Sequence, residues 1–306
     1  MSKPITIAIC VYNAADYLQE TLNSLKSQTY DNLKFLFIND GSTDESKVIL
    51  EKFCTENVNS KIIDLEENSG TAIARNMALE NAETELMMFF DSDDVAKPKM
   101  VEMLCHRLER TKNCIAVSCY AQYISSTGKK LKGGMFMGTD DPEKFINRAK
   151  AGKLTFMVPA TLFYRQKAIE AGGYRKEGFP KGNIRYEDLS EDLDLWSRMS
   201  DFAFNGETMI VEPTVLYYYR KRTNSLSAPK DKQYAMSLKI KYIKENLRNR
   251  RAGKNEISFI EYLNGLTDGE KRKLKRDFYA EYYYRKAAFG FVEKKFFMIV
   301  PWLIKL

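Results

Sequence analysis

Three carboxylates, Asp91, Asp93 and Asp94, flank Ser92 directly after the apolar run Leu86-Met87-Met88-Phe89-Phe90. A carboxylate delivered from an apolar strand is costly unless something pairs with it. One answer is a cation, because hard divalent ions such as Mg²⁺ or Mn²⁺ take oxygen ligands and share them with substrate phosphates. The other is a helix cap, because Asp and Ser are good N-cap residues and a helical pattern opens near Lys97-Pro98. A crevice of carboxylates holds a diphosphate only with a cation between them. On the cation reading Asp93 is the first ligand candidate for Mn²⁺ or Mg²⁺, and Asp94 is a turn or cap residue.

Other side chains fit the same chemistry. Asp40, at the end of a strand-like segment, can accept a hydrogen bond from a base N–H. Arg75 can contact phosphate or balance the acidic cluster. Tyr12 can stack on a base or fill the core. The sequence holds one histidine, His106, so Ser-His, Cys-His and His-metal chemistries are disfavoured and acid–base work falls to other side chains. No G-x-G-x-x-G follows the first strand and no G-x-x-x-x-G-K-[ST] occurs, which argues against a dinucleotide dehydrogenase and a P-loop NTPase.

These residues need a frame that gathers them. Ile5–Tyr12, Lys34–Ile38, Lys61–Leu65 and Glu85–Phe90 read as buried strands, separated by segments with helical spacing such as Leu18, Leu22 and Leu25. Alternation of this kind predicts βαβ units and a doubly wound, mostly parallel sheet. Ligands bind at the carboxyl ends of such strands, where Tyr12-Asn13, Asn39-Asp40 and Asp91-Ser92-Asp93 converge. Asn13-Ala14-Ala15-Asp16 is expected to cap the first helix. Further on, 128–138 reads as a loop, 154–164 as a strand, 191–199 as a helix and 209–219 as a strand.

The chain has 306 residues, 44% of them hydrophobic, enough for one large domain or two smaller ones. The five cysteines are odd in number and form no C-x-x-C pair, as expected of free thiols in a reducing compartment. No leader pattern precedes the first strand, and no apolar run approaches the roughly 18 to 20 residues of a membrane span. A cytoplasmic protein is expected. Residues 230–306 hold 19 Lys and Arg against 9 Asp and Glu, more than the whole net charge of +7.

Taken in order, Ile9-Cys10-Val11-Tyr12-Asn13, Ser27-Gln28-Thr29-Tyr30, Asn39-Asp40-Gly41-Ser42-Thr43-Asp44, Asn68-Ser69-Gly70 with Ala74-Arg75-Asn76, and Asp91-Ser92-Asp93-Asp94 resemble the nucleotide-binding half of a GT-A glycosyltransferase of family 2. The resemblance continues through Gly172-Gly173-Tyr174, Glu191-Asp192-Leu193-Asp194-Leu195-Trp196 and Tyr219-Arg220 with Ser225-Leu226-Ser227, covering roughly residues 4–228. It implies an α/β GT-A domain over 1–229, with a nucleotide-binding half to about 95 and an acceptor half from 96. Beyond the resemblance, residues 230–306 read from their own composition as a helical, basic region. It implies a nucleotide-sugar donor, usually UDP-linked, and inversion at the anomeric carbon. Asp40 would bind the base with Tyr12 against it, Asp91 would contact the ribose, Asp93 the metal, and Asp192 would be the general base. Cys10, Asn13, Arg75 and Ser92 would line the nucleotide pocket. Family members often carry His near the Tyr-Arg motif; here the sequence is Tyr219-Arg220-Lys221-Arg222, so Arg220 or Arg222 is expected to bind diphosphate instead. Asp192 could otherwise be an ordinary first-turn acid. Glu191 and Asp194 are expected to be supporting or surface charges, and Trp196 a packing residue or acceptor wall.

Basic and aromatic residues in the C-terminal region, Lys271 to Arg276, Tyr282-Tyr283-Tyr284, Phe296-Phe297 and Trp302, suit an anionic membrane surface and a lipid-linked glycan acceptor. The other reading is helices packed on the body. No nucleic-acid recognition motif is present. Two rival functions remain at this level. A non-catalytic nucleotide-sugar-binding scaffold would not need Asp192. A nucleotidyltransferase making the donor would need a Gly-rich basic loop after the first strand, which Asn13-Ala14-Ala15-Asp16 is not.

Overall fold

The computed structural model of the chain describes residues 2–222 and 229–292, with backbone alone over 285–292. Strands β1 (Ile5–Val11), β2 (Leu33–Asp40), β3 (Ser60–Leu65) and β4 (Leu86–Phe89) pair in parallel in the spatial order β3-β2-β1-β4. Helices α1 (Ala15–Lys26), α2 (Ser46–Glu56) and α3 (Thr71–Asn81) connect them. Successive side chains of a strand point to opposite faces, and the sheet uses both. Ile5, Ile7, Ile9 and Val11 pack with Leu18, Leu22, Leu25, Leu50 and Phe53 of α1 and α2 on one side. Ala8, Leu36 and Ile38 pack with Ala74, Ala78 and Leu79 of α3 on the other.

Beyond β4 the sheet turns mixed. The remaining strands are β5 (Val95–Ala96), β6 (Cys114–Ser125), β7 (Lys130–Met135), β8 (Leu162–Tyr164) and β9 (Thr208–Lys221), in the order β4-β8-β6-β9-β5 with β7 on β6. Helices α4 (Met100–Arg110), α5 (Pro142–Lys150), α6 (Arg165–Glu170) and α7 (Glu191–Met199) cover it. Two expectations fail here. Part of 128–138 is strand β7, whose glycines pass at an edge and whose carbonyls at Leu131 and Gly133 accept from the Gln122 side chain. Of 154–164 only the last three residues are strand, because Pro159 lacks a ladder donor and Thr161 turns back onto its carbonyl.

The C-terminal region continues as α8 (Lys230–Arg251), α9 (Phe259–Gly265) and α10 (Asp268–Val292). Leu238, Tyr242, Ile243 and Phe259 share a buried cluster with Leu193 of α7. Packing on the body is therefore what α8 and α9 do. Lys271, Lys273 and Arg276 of α10 are exposed. Phe296, Phe297 and Trp302 lie outside the described residues, as does Ser225-Leu226-Ser227. No described helix is long and apolar enough to cross a membrane.

Candidate active site

The strand order reverses between β1 and β4, and a crevice opens where the chains leaving those strands diverge. A cavity of ≈ 180 Å³ lies there, lined among others by Cys10, Tyr12, Asp40, Arg75, Asp91 and Asp93. Ser92 lines it too. The sequence motifs thus meet in one place, and the hydrogen bonds show why each is present.

The acidic turn is held from beneath by α1. Thr21 Oγ1 donates to the Ser92 and Asp94 carbonyls (3.1 and 2.8 Å), and Ser24 Oγ accepts from Ala96 N (3.0 Å). Gln28 extends the grip by donating to Lys97 O and accepting from Val101 N. The cap expected from Asn13-Ala14-Ala15-Asp16 comes instead from the loop after β2 and the first residue of α2. Ser46 Oγ accepts from Ala14 N and Asp44 accepts from Ala15 N (2.9 and 3.0 Å), while Asn13 Oδ1 accepts from Thr43 N (2.8 Å). Asn13, with φ +48°, is a clasp between two loops at the crevice rim.

Asp40 is buried, and its two oxygens accept from Ser69 N (2.7 Å) and Gly70 N (3.0 Å) ahead of α3. Asp188 accepts from Ala72 N (2.9 Å), so two carboxylates satisfy the start of α3. Gly70 is obligatory: its φ is +97°, and a Cβ would run into the Asp188 carboxylate. Tyr12 is 49% exposed, which removes the core-filling reading and leaves its ring available at the crevice.

Arg75 is the centre of the site. Its guanidinium reaches Asp91 (3.5 Å) and Glu191 (3.0 Å), with the rings of Phe89 and Tyr174 packed against it. Burial works against its charge, and Glu191 with Asp91 outweighs that. Of the two expected roles, balancing the acidic cluster is the one seen. Its position is locked by Asn76, which exchanges two hydrogen bonds with the Tyr174 backbone (2.7 and 2.8 Å). That exchange explains the pairing of Ala74-Arg75-Asn76 with Gly172-Gly173-Tyr174. Burial pushes the Asp91 carboxyl up to about 6 and the Glu191 carboxyl up to about 7. Glu191 is thus a buried partner of the site, not a surface charge.

Asp192 follows in the first turn of α7. Its Oδ1 accepts from Leu193 N (2.7 Å), and no protein group among the described residues holds the other oxygen. Its charge contributes to the rise at both Asp91 and Glu191. The helix enters through Ser190 in the left-handed region (φ +52°), a conformation non-glycine residues adopt at a cost and one that often marks functional turns. Asp194 faces inward, paired with Arg175 and Arg198 (3.0 and 2.9 Å). Trp196 is buried against Phe163, so it is a packing residue.

Two residues depart from expectation. Asp94 is the expected turn residue, its N–H donating to Asp91 O (3.3 Å), but it is 1% exposed and no cap; its carboxylate accepts from Tyr217 Oη and from Arg220 N (2.6 Å), tying the acidic turn to β9. Burial holds its carboxyl well above the usual range. Arg220 is also buried. Its guanidinium donates to Asp93 O (2.6 Å), Ser125 O, Ser126 O and Glu20 (2.7 Å), which leaves it spent on protein partners and unsuited to a diphosphate. Arg222 differs: its side chain is 36% exposed, and Nε pairs with Asp93 Oδ2 at 2.6 Å.

Among the described residues no cluster of three or more His, Cys, Asp or Glu side chains could hold a metal alone. The donors present, Asp93 and the nearby Asp91, are hard oxygens. They fit an ion of the Mg²⁺ or Mn²⁺ type, which binds through one or two carboxylates plus substrate phosphates.

The fold and the sequence both have relatives. The structure resembles TarS of S. aureus in complex with UDP-GlcNAc (TM-score 0.59, 20% identity, covering 90% of this chain and 80% of that one). It also resembles the mannosyltransferase PcManGT from Pyrobaculum calidifontis in complex with GDP-Man and Mn²⁺ (TM-score 0.55, 16% identity, 100% and 86%). In sequence it is 27% identical to the glycosyltransferase GlyG of Streptococcus pneumoniae over 229 residues, 74% of this chain and 73% of that protein. Residues 6–173, more than half of the chain and most of the crevice just described, match the glycosyl transferase family 2 model, and the chain belongs to that family.

Proposed function

We propose that the chain is an inverting, divalent-metal-dependent glycosyltransferase that moves a sugar from a UDP-linked donor to a hydroxyl of a glycan or lipid-linked glycan in polysaccharide biosynthesis. The observation that carries this reading is Arg75 bridging Asp91 and Glu191. One buried cation joins the carboxyl end of the nucleotide-side strand to the helix that presents Asp192. Donor and acceptor machinery therefore share a single electrostatic cluster, an arrangement that a scaffold subunit binding nucleotide-sugar does not need.

In this reading Tyr12 stacks on the base and Asp40 orients it, with Cys10 and Ser92 on the pocket wall and Asp91 toward the ribose. Asp93, with Asp91, would hold Mn²⁺ or Mg²⁺, and such an ion would supply charge neutralisation for a diphosphate leaving group. Arg222, already on Asp93, is the cation placed to meet that diphosphate. The acceptor hydroxyl oxygen attacks the anomeric carbon from the face opposite the diphosphate. As that bond forms, the carbon–phosphate-oxygen bond breaks and the hydroxyl proton passes to Asp192. A carboxylate serves as base because the hydroxyl becomes acidic only as the bond develops. The exposed cations on α10 support contact with an anionic membrane surface.

A calorimetric panel of UDP-, GDP- and dTDP-sugars with and without Mn²⁺ tests the donor assignment. UDP-sugar binding is expected to depend on Mn²⁺ and to weaken by about tenfold or more in Asp93→Ala, the scale of losing one charged ligand contact. Tight UDP binding indifferent to metal and to Asp93 contradicts it.

A further inference from the structure

A second, larger cleft lies outside the nucleotide crevice. It has a volume of ≈ 690 Å³ and lies between the end of α5 and the outer face of α8. Arg148, Lys150, Lys153, Lys244, Arg248 and Arg251 line it, and among the described residues no carboxylate does. All but Arg251 are exposed. Arg251 forms the floor, donating to Ala149 O (3.0 Å) and Ser200 Oγ (3.0 Å) and pairing with Asp201. That floor fixes the two walls relative to each other. Apolar surface is interleaved with the charge: Phe156 lines the cleft and is 45% exposed, and the exposed ring of Phe204 carries Lys150 and Arg251 at 5.8 and 5.0 Å from its centroid. Arg248 is answered by Glu245 (3.2 Å) and Arg251 by Asp201, and the other four, Arg148, Lys150, Lys153 and Lys244, share a lining that holds no carboxylate among the described residues. Like charges gathered in this way repel one another, and a bound polyanion relieves that repulsion.

We infer that this cleft binds an acidic glycan chain, one bearing repeated phosphodiester or carboxylate groups, as the non-reacting part of the acceptor. A concave groove with cations on both walls suits a chain lying within it better than a flat bilayer. Arginine forks match either anion, and the exposed rings offer stacking faces for sugars. The cleft also has a defined relation to the chemistry. α7 carries Asp192 at its start and leads to Asp201, the partner of the floor arginine Arg251 behind the lining, a distance on the order of 15 Å at the helical rise per residue. On that scale the cleft lies within reach of an acceptor a few repeat units long whose end is at the candidate base. The inference rests on the glycosyltransferase reading for the role of the chain, while the binding itself can be measured without any transfer.

The test uses the full chain and the variant Arg148→Glu/Lys150→Glu/Lys153→Glu/Lys244→Glu, all at exposed positions outside the crevice. Fluorescence anisotropy follows labelled glycerol-phosphate oligomer and labelled polyglucuronate of matched length, with neutral dextran as control. Anionic phosphatidylglycerol vesicles form a separate sedimentation arm. The expectation is binding of at least one acidic chain but not dextran, weakened by salt and by about tenfold or more in the variant, with UDP-sugar binding unchanged. The relative affinity of the two chains reports which anion is preferred. Equal binding by wild type and variant overturns the inference, as does no binding of either chain. So does a variant that loses only vesicle binding, which would make the cleft a lipid contact. Loss of UDP-sugar binding by the wild type would instead strike the functional reading and leave the cleft result standing.

Discussion

At the residue scale the acidic turn divides into three jobs. Asp91 faces Arg75, Asp93 faces Arg222, and Asp94 turns inward to Tyr217 and the Arg220 backbone. A buried donor left without its acceptor costs about 1–3 kcal/mol, and Asp94→Ala strands two. Asp94→Ala is therefore expected to destabilise the protein by roughly 2–5 kcal/mol and Tyr217→Phe by about 1–2 kcal/mol, read from urea midpoints. A near-neutral Asp94→Ala would show that the turn is not anchored this way. Asp91 and Asp93 were legible in the sequence because their neighbours in the chain, an apolar strand and a turn, define their setting. Asp94 was not, because its partners lie more than 120 residues away on β9. The same limit applies to Arg220: a Tyr-Arg motif announces an arginine near the site but not that Glu20 and three carbonyls consume it.

At the element scale, α8 reaches the turn that precedes α7. Lys239 is 1% exposed and donates to Tyr186 O (2.7 Å) and Glu187 O (3.0 Å), the turn that leads through Asp188 to the start of α3 and onward to Glu191 and Asp192. Burial lowers its amine from 10.5 to about 8, against the pull of Asp194 and Glu191. Between about 8 and 10.5 the folded state holds fewer protons than the unfolded one, so this residue's contribution to stability rises with pH across that window. The stability of the wild type relative to Lys239→Met should increase from pH 8 to pH 10.5 by roughly 3 kcal/mol at most, measured by urea unfolding of both proteins. A difference that stays flat or falls would mean the amine titrates normally. The parallel strands and their helices were readable from periodicity alone. Strand β7 was not, since Lys and Gly at an exposed edge carry no apolar alternation, and the role of Lys239 required knowing that α8 folds back.

At the scale of the whole molecule, the charge asymmetry read from the sequence acquires a shape. Part of the basic excess of residues 230–306 lines the cleft between α8 and α5, and part lies exposed on α10. The acidic crevice sits apart, built from the carboxyl ends of β1, β2 and β4. Arg75 joins the end of β4 to α7 through Asp91 and Glu191, and α7 carries Asp192 next to Glu191. The central claim is that Asp192 takes the acceptor proton in a reaction whose donor is held elsewhere. It is tested most directly by comparing Asp192→Asn with the wild type, using the best UDP-sugar and an acceptor that supports transfer. General-base removal is expected to lower kcat by about 10²–10⁴-fold while donor affinity stays within a factor of about two. Wild-type turnover in Asp192→Asn would contradict the account.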